Sequence, residues 1–464
     1  MMGKILIKNA KAIVSCDALD TVYRDCDMLI ENEQILDIAP GIECPDAEVI
    51  DATDKFVYPG MINTHHHFFQ TFVRNLTTID YPNMTVPEWL DIWFKTVRFV
   101  DNDVMYYSSC TAIADLLKHG CTTAFDHHYV FNSYTGKESA DREFEAAKDL
   151  GIRFVCGRAT NTLPKSMGSS IPDDMHEETD EFIDHCRSLI KRYHDDSRYS
   201  MSQVVIAPCQ PMNSYEDTFT ESLKLAKETG CHLHTHLGEG ESEIMKDRWG
   251  VRTVEWCRQR GFLGENVWLA HCWELTSDEY KVLGDTGTGV SHCPGPAVLA
   301  GFPILPMKEM MSYGINISLG CDGAASNDSS NLLDSVRMAF LAQCYFGKER
   351  GGAISAYDIL KLATVNGAKT LGRPDLGHLA KGMAADLFMI DAGALELAGA
   401  IHDPKNILGR CGVTGDVWLT MVNGKVVFKD HQLIGIDEKK LAKEGDAAQK
   451  KCLRDVCEAF EIYR

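Results

Sequence analysis

The chain has 464 residues, of which 45% are hydrophobic and 24% charged, and its formal net charge is -21. These values indicate a globular protein with a large core, whereas so acidic a surface repels nucleic acid phosphates and anionic membranes and excludes both as partners. The 17 cysteines include no Cys-x-x-Cys pair, which excludes a zinc ribbon and argues against a disulfide framework.

Both ends of the chain alternate apolar and polar residues, as short β-strands do. The alternating stretches are residues 4–15, 27–40, 47–60, 385–393 and 417–435. Asn423-Gly424, in the last of them, indicates a hairpin turn. We expect the two ends to pair in a small β-sandwich made of residues 1–58 and 380–440, followed by a C-terminal helix over 441–464.

The beginning of the chain, MMGKILIKNAKAIVSC, alternates like a strand and lacks the long apolar core of a signal peptide. No segment reaches the roughly 18 apolar residues of a membrane helix. Free cysteines at this density suit a reducing compartment. We therefore expect a cytoplasmic protein.

The middle of the chain, residues 59–379, alternates short apolar runs with helical patterns, which predicts βα units around a parallel sheet. Helical stretches such as 103–120 and 217–230 end on a glycine, a common helix stop. The apolar runs lie at 58–68, 121–130, 152–160, 203–211, 231–239, 266–274, 288–296 and 315–324. Eight such runs predict a closed (β/α)8 barrel, and the loop over 163–178 is a candidate cover for its mouth.

Several predicted barrel strands end in histidine or aspartate, although strands buried on both faces should be almost wholly apolar. In a barrel enzyme, polar residues at the C-terminal ends of strands indicate catalysis. The residues concerned are His65 and His67 on strand one, His234 and His236 on strand five, His271 on strand six and Asp322 on strand eight. Side chains alternate along a strand, so His65 and His67 share one face.

Imidazole nitrogens and a carboxylate oxygen are ligands for a divalent metal, and a catalytic site leaves one position open for water. Three of these histidines and Asp322 would hold the metal, which lowers the pKa of its bound water toward ~7. Glu239 can carry protons between that water and the substrate. His271 would polarise the attacked centre or orient the nucleophile.

These motifs resemble those of the amidohydrolase superfamily. PGMINTHHHFFQ resembles its strand-one His-x-His motif, HTHLGEGESE its strand-five motif, LAHC its strand-six motif and GCDGAASND its strand-eight motif. The late segments GMAADLFMID and VNGKVVFKD resemble the closing half of its small β-sandwich. The resemblance covers nearly the whole chain in the same order.

Within that superfamily the chain looks most like the triazine hydrolase and aromatic deaminase branch, and closest to its 8-oxoguanine deaminases and hydroxyatrazine-type aminohydrolases. The resemblance implies one divalent metal, zinc or iron, with His65, His67, His236 and Asp322 as ligands. It implies Glu239 and His271 as the catalytic pair, with Asp322 helping to activate the water. Strand four carries no lysine of the kind that binuclear relatives use.

The implied activity is hydrolytic deamination of an aminated nitrogen heterocycle, a purine such as 8-oxoguanine or guanine, with release of ammonia. One departure leaves the substrate open. Relatives commonly carry a Ser-Asn pair after the strand-seven His-Cys-Pro, whereas this chain has Gly295-Pro296-Ala297. Candidates for gripping a planar ring are Gln70, Arg74, Trp93 and His128. By alternation, His66 and His127 are expected to face away from the barrel lumen.

Two alternatives remain. One is a triazine or pterin hydrolase that releases chloride, an alkylamine or ammonia on the same scaffold. Since a leaving amine needs a proton and chloride does not, Glu239 favours amine release. The other is a non-catalytic binding scaffold, which the complete set of ligand residues disfavours. The expected partners are a small heterocyclic substrate and further copies of the chain, in a homodimer or a higher homo-oligomer.

Overall fold

A computed structural model of the protein describes residues 3–76, 86–131, 134–347 and 354–462. The chain begins with five strands, the first two of which form an antiparallel pair. Their bounds are β1 (Lys4–Val14), β2 (Val22–Glu31), β3 (Gln34–Ala39), β4 (Glu48–Asp51) and β5 (Lys55–Pro59).

The next eight strands form one parallel sheet in which each strand pairs with its neighbour in sequence. They are β6 (Met61–Asn63), β7 (Cys121–His128), β8 (Arg153–Thr160), β9 (Ser202–Pro208), β10 (Leu233–Leu237), β11 (Val267–His271), β12 (Gly289–His292) and β13 (Ile317–Leu319). The last strand returns to the first, because Thr64 N–H donates to the carbonyl of Leu319 and Asp322 N–H to the carbonyl of His65, each at 3.0 Å. The predicted barrel is thereby confirmed, with one strand in each predicted run.

Helices lie between the barrel strands and after them. The first eight are α1 (Val86–Val97), α2 (Asn102–Lys118), α3 (Ser139–Leu150), α4 (Thr179–Tyr193), α5 (Glu216–Thr229), α6 (Ser242–Trp249), α7 (Thr253–Arg260) and α8 (Ser277–Thr286). The others are α9 (Pro294–Leu299), α10 (Met307–Ser312), α11 (Ala324–Asn327), α12 (Leu332–Gly347), α13 (Ala356–Leu362), α14 (Val365–Thr370), α15 (Ile407–Arg410) and α16 (Glu438–Phe460). Gly230 ends α5 in the left-handed region, with φ of 78°, as its position in the pattern predicted.

The two ends of the chain meet in a second, mixed sheet of nine strands. Its C-terminal members are β14 (Leu387–Asp391), β15 (Leu419–Val422), β16 (Lys425–Lys429) and β17 (Gln432–Leu433). Strand β14 pairs antiparallel with β5, which joins the C-terminal strands to the N-terminal ones. The predicted fold class is therefore confirmed, whereas the exact domain boundaries at residues 58, 380 and 440 stay predictions.

This sheet is fastened to the barrel by a buried ion pair. Arg153 of β8 contacts the carboxylate of Asp386 at 3.0 Å and also donates to Asn423 Oδ1 at 3.0 Å. Both charged side chains are almost completely inaccessible to solvent. Because a charge buried without its partner is costly, this contact holds the sheet in one position relative to the barrel.

The C-terminal helix α16 supports one wall of the barrel mouth. Ala448, Cys452 and Val456 pack in an apolar cluster that also contains Trp89 and Trp93 of α1. Gln449 Nε2 donates to the carbonyl of Phe72, at 2.7 Å, in the 3-10 helix Phe68–Val73. Among the described residues, no helix has the length and apolar character needed to cross a membrane, and the cysteines are unpaired.

Candidate active site

Three imidazoles and one carboxylate converge at the C-terminal ends of the barrel strands. His65 and His67 follow β6, His236 lies on β10 and Asp322 follows β13. The distance from Asp322 Oδ1 to the Nε2 atom is 3.5 Å for His65 and 3.3 Å for His67. The Nε2 atoms of His67 and His236 are 3.3 Å apart. Residues that are far apart in the sequence therefore surround one small volume.

Backbone carbonyls select the tautomer of two of these histidines. His67 Nδ1 lies 2.7 Å from the carbonyl of His127, and His236 Nδ1 lies 2.8 Å from the carbonyl of Cys209. Because a carbonyl oxygen only accepts hydrogen bonds, each Nδ1 carries the hydrogen. The Nε2 lone pairs are thus left free to face the shared volume.

His65 reaches the same state through a second histidine. His234 Nδ1 donates to the carbonyl of Trp268 at 2.9 Å, which leaves its Nε2 as an acceptor for His65 Nδ1 at 3.0 Å. His65 Nε2 is buried and has no hydrogen-bond partner within the described part of the chain. Three free imidazole nitrogens and a carboxylate form the donor set that a divalent metal takes.

The electrostatics of these groups suit metal binding. Burial lowers the pKa of His67 to about 3, with a further contribution from the neighbouring His65. Burial and the neighbouring His65 and His67 hold the pKa of His236 well below its usual value. Burial alone would raise the pKa of Asp322, but the neighbouring His65 and His271 hold it well below its usual value. Neutral imidazoles and an ionised carboxylate are the forms that bind a metal at neutral pH.

Glu239 and His271 lie beside this cluster. Glu239 Oε1 is 3.5 Å from His271 Nε2. Burial raises the pKa of Glu239 well above its usual value, and the charge of Asp322 adds to the effect. Burial lowers the pKa of His271 to about 4, against the opposing charge of Asp322. A raised pKa favours the protonated form of this carboxyl group, which can serve as an acid and, once ionised, as a base.

Two of the strand ends have strained backbones. His271 has φ of 73° and Asp322 has φ of 64°, both in the left-handed region that non-glycine residues rarely adopt. Asp322 is held there because its Oδ1 accepts the N–H of Gly323 at 2.7 Å and its Oδ2 accepts the hydroxyl of Ser326 at 3.2 Å. Such strain is typical of functional sites.

A cavity opens above the cluster. Its walls are apolar, aromatic and amide side chains, and no lysine or arginine occurs among the described residues that line it. The lining residues are His67, Gln70, Trp89, Leu90, Phe94, Tyr129, Asn161, Ile171, Cys209, Gln210, Asn213, His236, Glu239, His271, Pro296, Phe302, Asp322 and Ser326. Ile171 belongs to the loop that the sequence indicated as a cover.

Two of the predicted ring-binding residues lie at this cavity. Gln70 lines it and donates from Nε2 to the hydroxyl of Tyr129 at 3.1 Å. Trp93 is completely buried behind the wall, and its indole N–H donates to the same hydroxyl at 2.9 Å. Trp93 therefore supports a lining residue and does not itself line the cavity.

The other two predicted ring-binding residues lie elsewhere, and these predictions are wrong. Arg74 is exposed at the end of the 3-10 helix, where its charge acts on Asp115 of α2. His128 points out of the barrel, and its Nδ1 lies 3.0 Å from Glu143 of α3. Its ring stacks on Phe131.

The prediction that His127 faces away from the barrel lumen is wrong, whereas the same prediction for His66 is confirmed. The His127 ring lies in the lumen, with its centroid 4.6 Å from that of His236. His66 faces outward and contacts the hydroxyl of Ser330 at 2.9 Å. All residues of β7 are buried, so no polar face in the sequence reveals which side chains point inward.

Several cavity residues escaped sequence reasoning, among them Tyr129, Asn161 and Phe302. Tyr129 shares a face with His127, and no signal in the sequence shows that this face points inward. The loop Gly295-Pro296-Ala297, where relatives commonly carry a Ser-Asn pair, is explained by packing. A Cβ atom at Gly295 would lie 1.9 Å from Asn327 Oδ1, so glycine lets α9 approach α11 and brings Pro296 to the cavity wall.

Comparisons with known proteins agree with this arrangement. A sequence profile of the Amidohydrolase family matches residues 56–427. Hydroxydechloroatrazine ethylaminohydrolase of Pseudomonas sp. (strain ADP) is 43% identical over 452 residues, which are 95% of this chain and 94% of that enzyme. The 8-oxoguanine deaminase of Pseudomonas aeruginosa is 33% identical over 439 residues, 92% of this chain and 95% of that one.

A solved structure has the same fold. Atrazine chlorohydrolase from Arthrobacter aurescens TC1, complexed with zinc, superposes with a TM-score of 0.92 at 28% identity. The match covers 96% of this chain and 100% of that one.

Proposed function

The chain belongs to the amidohydrolase family, and we propose that it replaces an amine on a ring carbon of a nitrogen heterocycle with oxygen. Its relatives confirm the predicted triazine hydrolase and aromatic deaminase branch. The observation that carries the proposal is the convergence of His65, His67, His236 and Asp322 next to Glu239.

In this proposal His65, His67, His236 and Asp322 hold one divalent metal, which fits their free Nε2 atoms and the ionised carboxylate. A metal bound there polarises water and makes it nucleophilic at neutral pH. Zinc is supported by the solved atrazine chlorohydrolase, although the same ligands suit iron.

Glu239 and His271 manage the protons. The oxygen of water bonds to the ring carbon, the bond from that carbon to the amine nitrogen breaks, and a proton of the water leaves with the amine. Glu239 carries that proton, since its raised pKa favours the protonated form that can donate to the leaving amine. His271, with Nε2 at 3.5 Å from Glu239 Oε1, orients that carboxyl group and the attacked centre.

The lining of the cavity supports a small uncharged ring as substrate. Its ionisable groups include Glu239 and Asp322, and no described lining residue is a lysine or arginine that would bind a phosphate. Two substrate classes follow. The first is a purine such as 8-oxoguanine or guanine, which loses ammonia, as one relative's name describes. The second is a hydroxylated triazine that loses an alkylamine, which the relative at 43% identity favours.

The test is an amine-release assay that distinguishes ammonia from ethylamine. The panel holds 8-oxoguanine, guanine, isoxanthopterin, a hydroxylated ethylaminotriazine and its chlorinated counterpart, and the bound metal is measured by mass spectrometry. We expect amine release from at least one ring by a protein that carries about one metal ion per chain. Release of chloride alone, or silence on every ring with the metal bound, would contradict the proposal.

We further propose that the protein works in the cytoplasm as a homodimer or a higher homo-oligomer and binds no nucleic acid. The reduced cysteines and the net charge of -21 support the first and last of these statements.

A further inference from the structure

Tyr129 lies between the metal-ligand histidines and the cavity and has no part in the mechanism above. It follows β7 directly, two residues after His127. The centroid of its ring is 5.1 Å from that of His67 and 6.5 Å from that of His236. It also lines the cavity. A ring bound at the metal would therefore lie within reach of this side chain.

Two donors converge on the Tyr129 hydroxyl oxygen. Gln70 Nε2 donates to it at 3.1 Å and Trp93 Nε1 at 2.9 Å. An indole N–H has no acceptor capacity, and Trp93 is completely buried, so this donor cannot turn away. The two bonds occupy the acceptor capacity of the phenolic oxygen and leave its own proton to point elsewhere.

The structure provides no acceptor for that proton among the residues it describes, so the hydroxyl presents a fixed donor to the cavity. We propose that Tyr129 donates this proton to an oxo group of the bound heterocycle and thereby selects oxo-substituted rings over rings with hydrogen or chlorine at that position. The inference rests on the proposed function and specifies which ring feature the site recognises.

The position of Tyr129 on the cavity wall supports this role. A donor that a bound ring covers without supplying an acceptor is costly, so a ring that lacks the oxo group binds less well. The expected discrimination is roughly tenfold to hundredfold, the range for one such hydrogen bond.

The opposite orientation of the Gln70 amide makes a different prediction. It would place Oε1, which has no partner among the described residues, against the Tyr129 hydroxyl. The hydroxyl would then donate its proton to Gln70, and none would be left for a bound ring. In that arrangement Tyr129 is only structural, and its loss affects rings with and without an oxo group equally.

The experiment compares the intact metalloenzyme with Tyr129→Phe on ring pairs that differ by one oxo group. The pairs are 8-oxoguanine with guanine, guanine with 2-aminopurine, and a hydroxylated with a chlorinated ethylaminotriazine. Both kcat/KM from amine release and Kd from titration calorimetry are measured. We expect Tyr129→Phe to weaken the oxo member of at least one pair by roughly tenfold to hundredfold, mainly through KM and Kd, and to leave its partner nearly unchanged.

Two variants accompany the test. Tyr107→Phe removes a hydroxyl that contacts Glu444 on the outside of α2, 3.3 Å away. It should leave the ratio of the two rings of a pair unchanged, both in kcat/KM and in Kd. Trp93→Phe removes one of the two orienting donors and should cause a smaller loss of the same preference with the metal retained. Trp93→Phe also carries the test if Tyr129→Phe does not fold.

The outcomes separate the two proposals. If the wild-type enzyme releases amine but its preference for oxo rings is the same in Tyr129→Phe, the role of Tyr129 is refuted and the proposed function stands. If no ring releases amine, the proposed function fails. The Kd ratios between paired rings then still decide whether Tyr129 reads an oxo group.

Discussion

His236 lies on β10 and Asp322 follows β13, far apart in the chain, yet both lie 3.3 Å from His67 Nε2. We expect His236→Ala to lower the rate of amine release by at least about a thousandfold and to lower the metal content with it, because a ligand nitrogen is lost. Asp322→Asn should act in the same direction, because the charge that the neighbouring histidines stabilise is removed. Mass spectrometry of the purified variants measures the metal.

A matched control is Glu243→Gln, an exposed carboxylate on α6 that pairs with Arg252 at the surface. It should keep both metal and activity. Full turnover by His236→Ala without bound metal would refute the assignment of the ligands.

Glu239 is expected to act on protons and not on the metal. In Glu239→Gln the side chain keeps its size but can no longer ionise, so the metal content should stay normal. The rate should fall by about a hundredfold to ten-thousandfold, the usual contribution of a general acid–base group. Steady-state kinetics and metal analysis on the same sample provide the measurement. A near-normal rate would mean that another group carries the proton.

At the scale of single residues, the sequence predicted the convergent histidines and Asp322 better than it predicted the residues that line the cavity. His65 and His67 share a face in any extended strand, so their pairing needed no knowledge of the fold. His127 and His128 differ only in the phase of β7, and that strand is buried on both faces. Only the packed barrel shows that His127 faces the lumen and His128 faces Glu143.

At the scale of elements, helix α16 holds the wall that carries Gln70. Gln449 is the direct link, because its amide satisfies the carbonyl of Phe72 at 2.7 Å. We expect Gln449→Ala to cost about 1–3 kcal/mol of stability, the penalty for a buried carbonyl without a partner. It should also raise KM while the metal content stays normal, because the 3-10 helix Phe68–Val73 loses a support.

Thermal unfolding and steady-state kinetics test this prediction. Lys443→Ala, on the exposed side of the same helix, is the control and should change neither quantity. If Gln449→Ala lowers the melting temperature but leaves KM unchanged, the helix stabilises the fold without shaping the cavity.

At the scale of the molecule, the buried histidines dominate the pH dependence of stability. Eleven described histidines have a pKa lowered chiefly by burial: His66, His67, His127, His128, His185, His232, His234, His236, His271, His292 and His378. Below the ordinary histidine value of about 6.5 they take up protons in the unfolded chain before they do so in the folded one. Each therefore contributes stability above about pH 6.5 that is lost as the pH falls toward its folded value.

Four buried carboxyl groups act in the opposite direction. Burial raises the pKa of Glu143 to about 8 and that of Glu241 to about 7, and it raises those of Asp126 and Glu239 well above the usual range. These groups bind protons in the folded state first, so they favour folding as the pH falls below their folded values. The histidines outnumber them.

We therefore expect the melting temperature to fall as the pH is lowered from about 6.5 to about 4.5. Calorimetry at several pH values measures how the melting temperature depends on pH. Repeating it with and without added zinc separates metal release from folding. His128→Asn should reduce the pH dependence of the free energy of unfolding by at most about 1.4 kcal/mol per pH unit. His431→Asn, at a side chain 80% exposed, is the control. A melting temperature that does not change over this range would contradict the prediction.

The order of apolar runs by itself determined the barrel, because each run needs a buried parallel strand and each helical stretch needs a sheet to cover. The motifs at the run ends predicted the side chains that converge at the barrel mouth, and they predicted the family. Tertiary structure alone decided which face of β7 points inward, that Arg74 lies outside, and that Gln70 and Trp93 meet at Tyr129. These outcomes depend on contacts between distant segments and on strands without a polar face, and a local pattern carries no information about either.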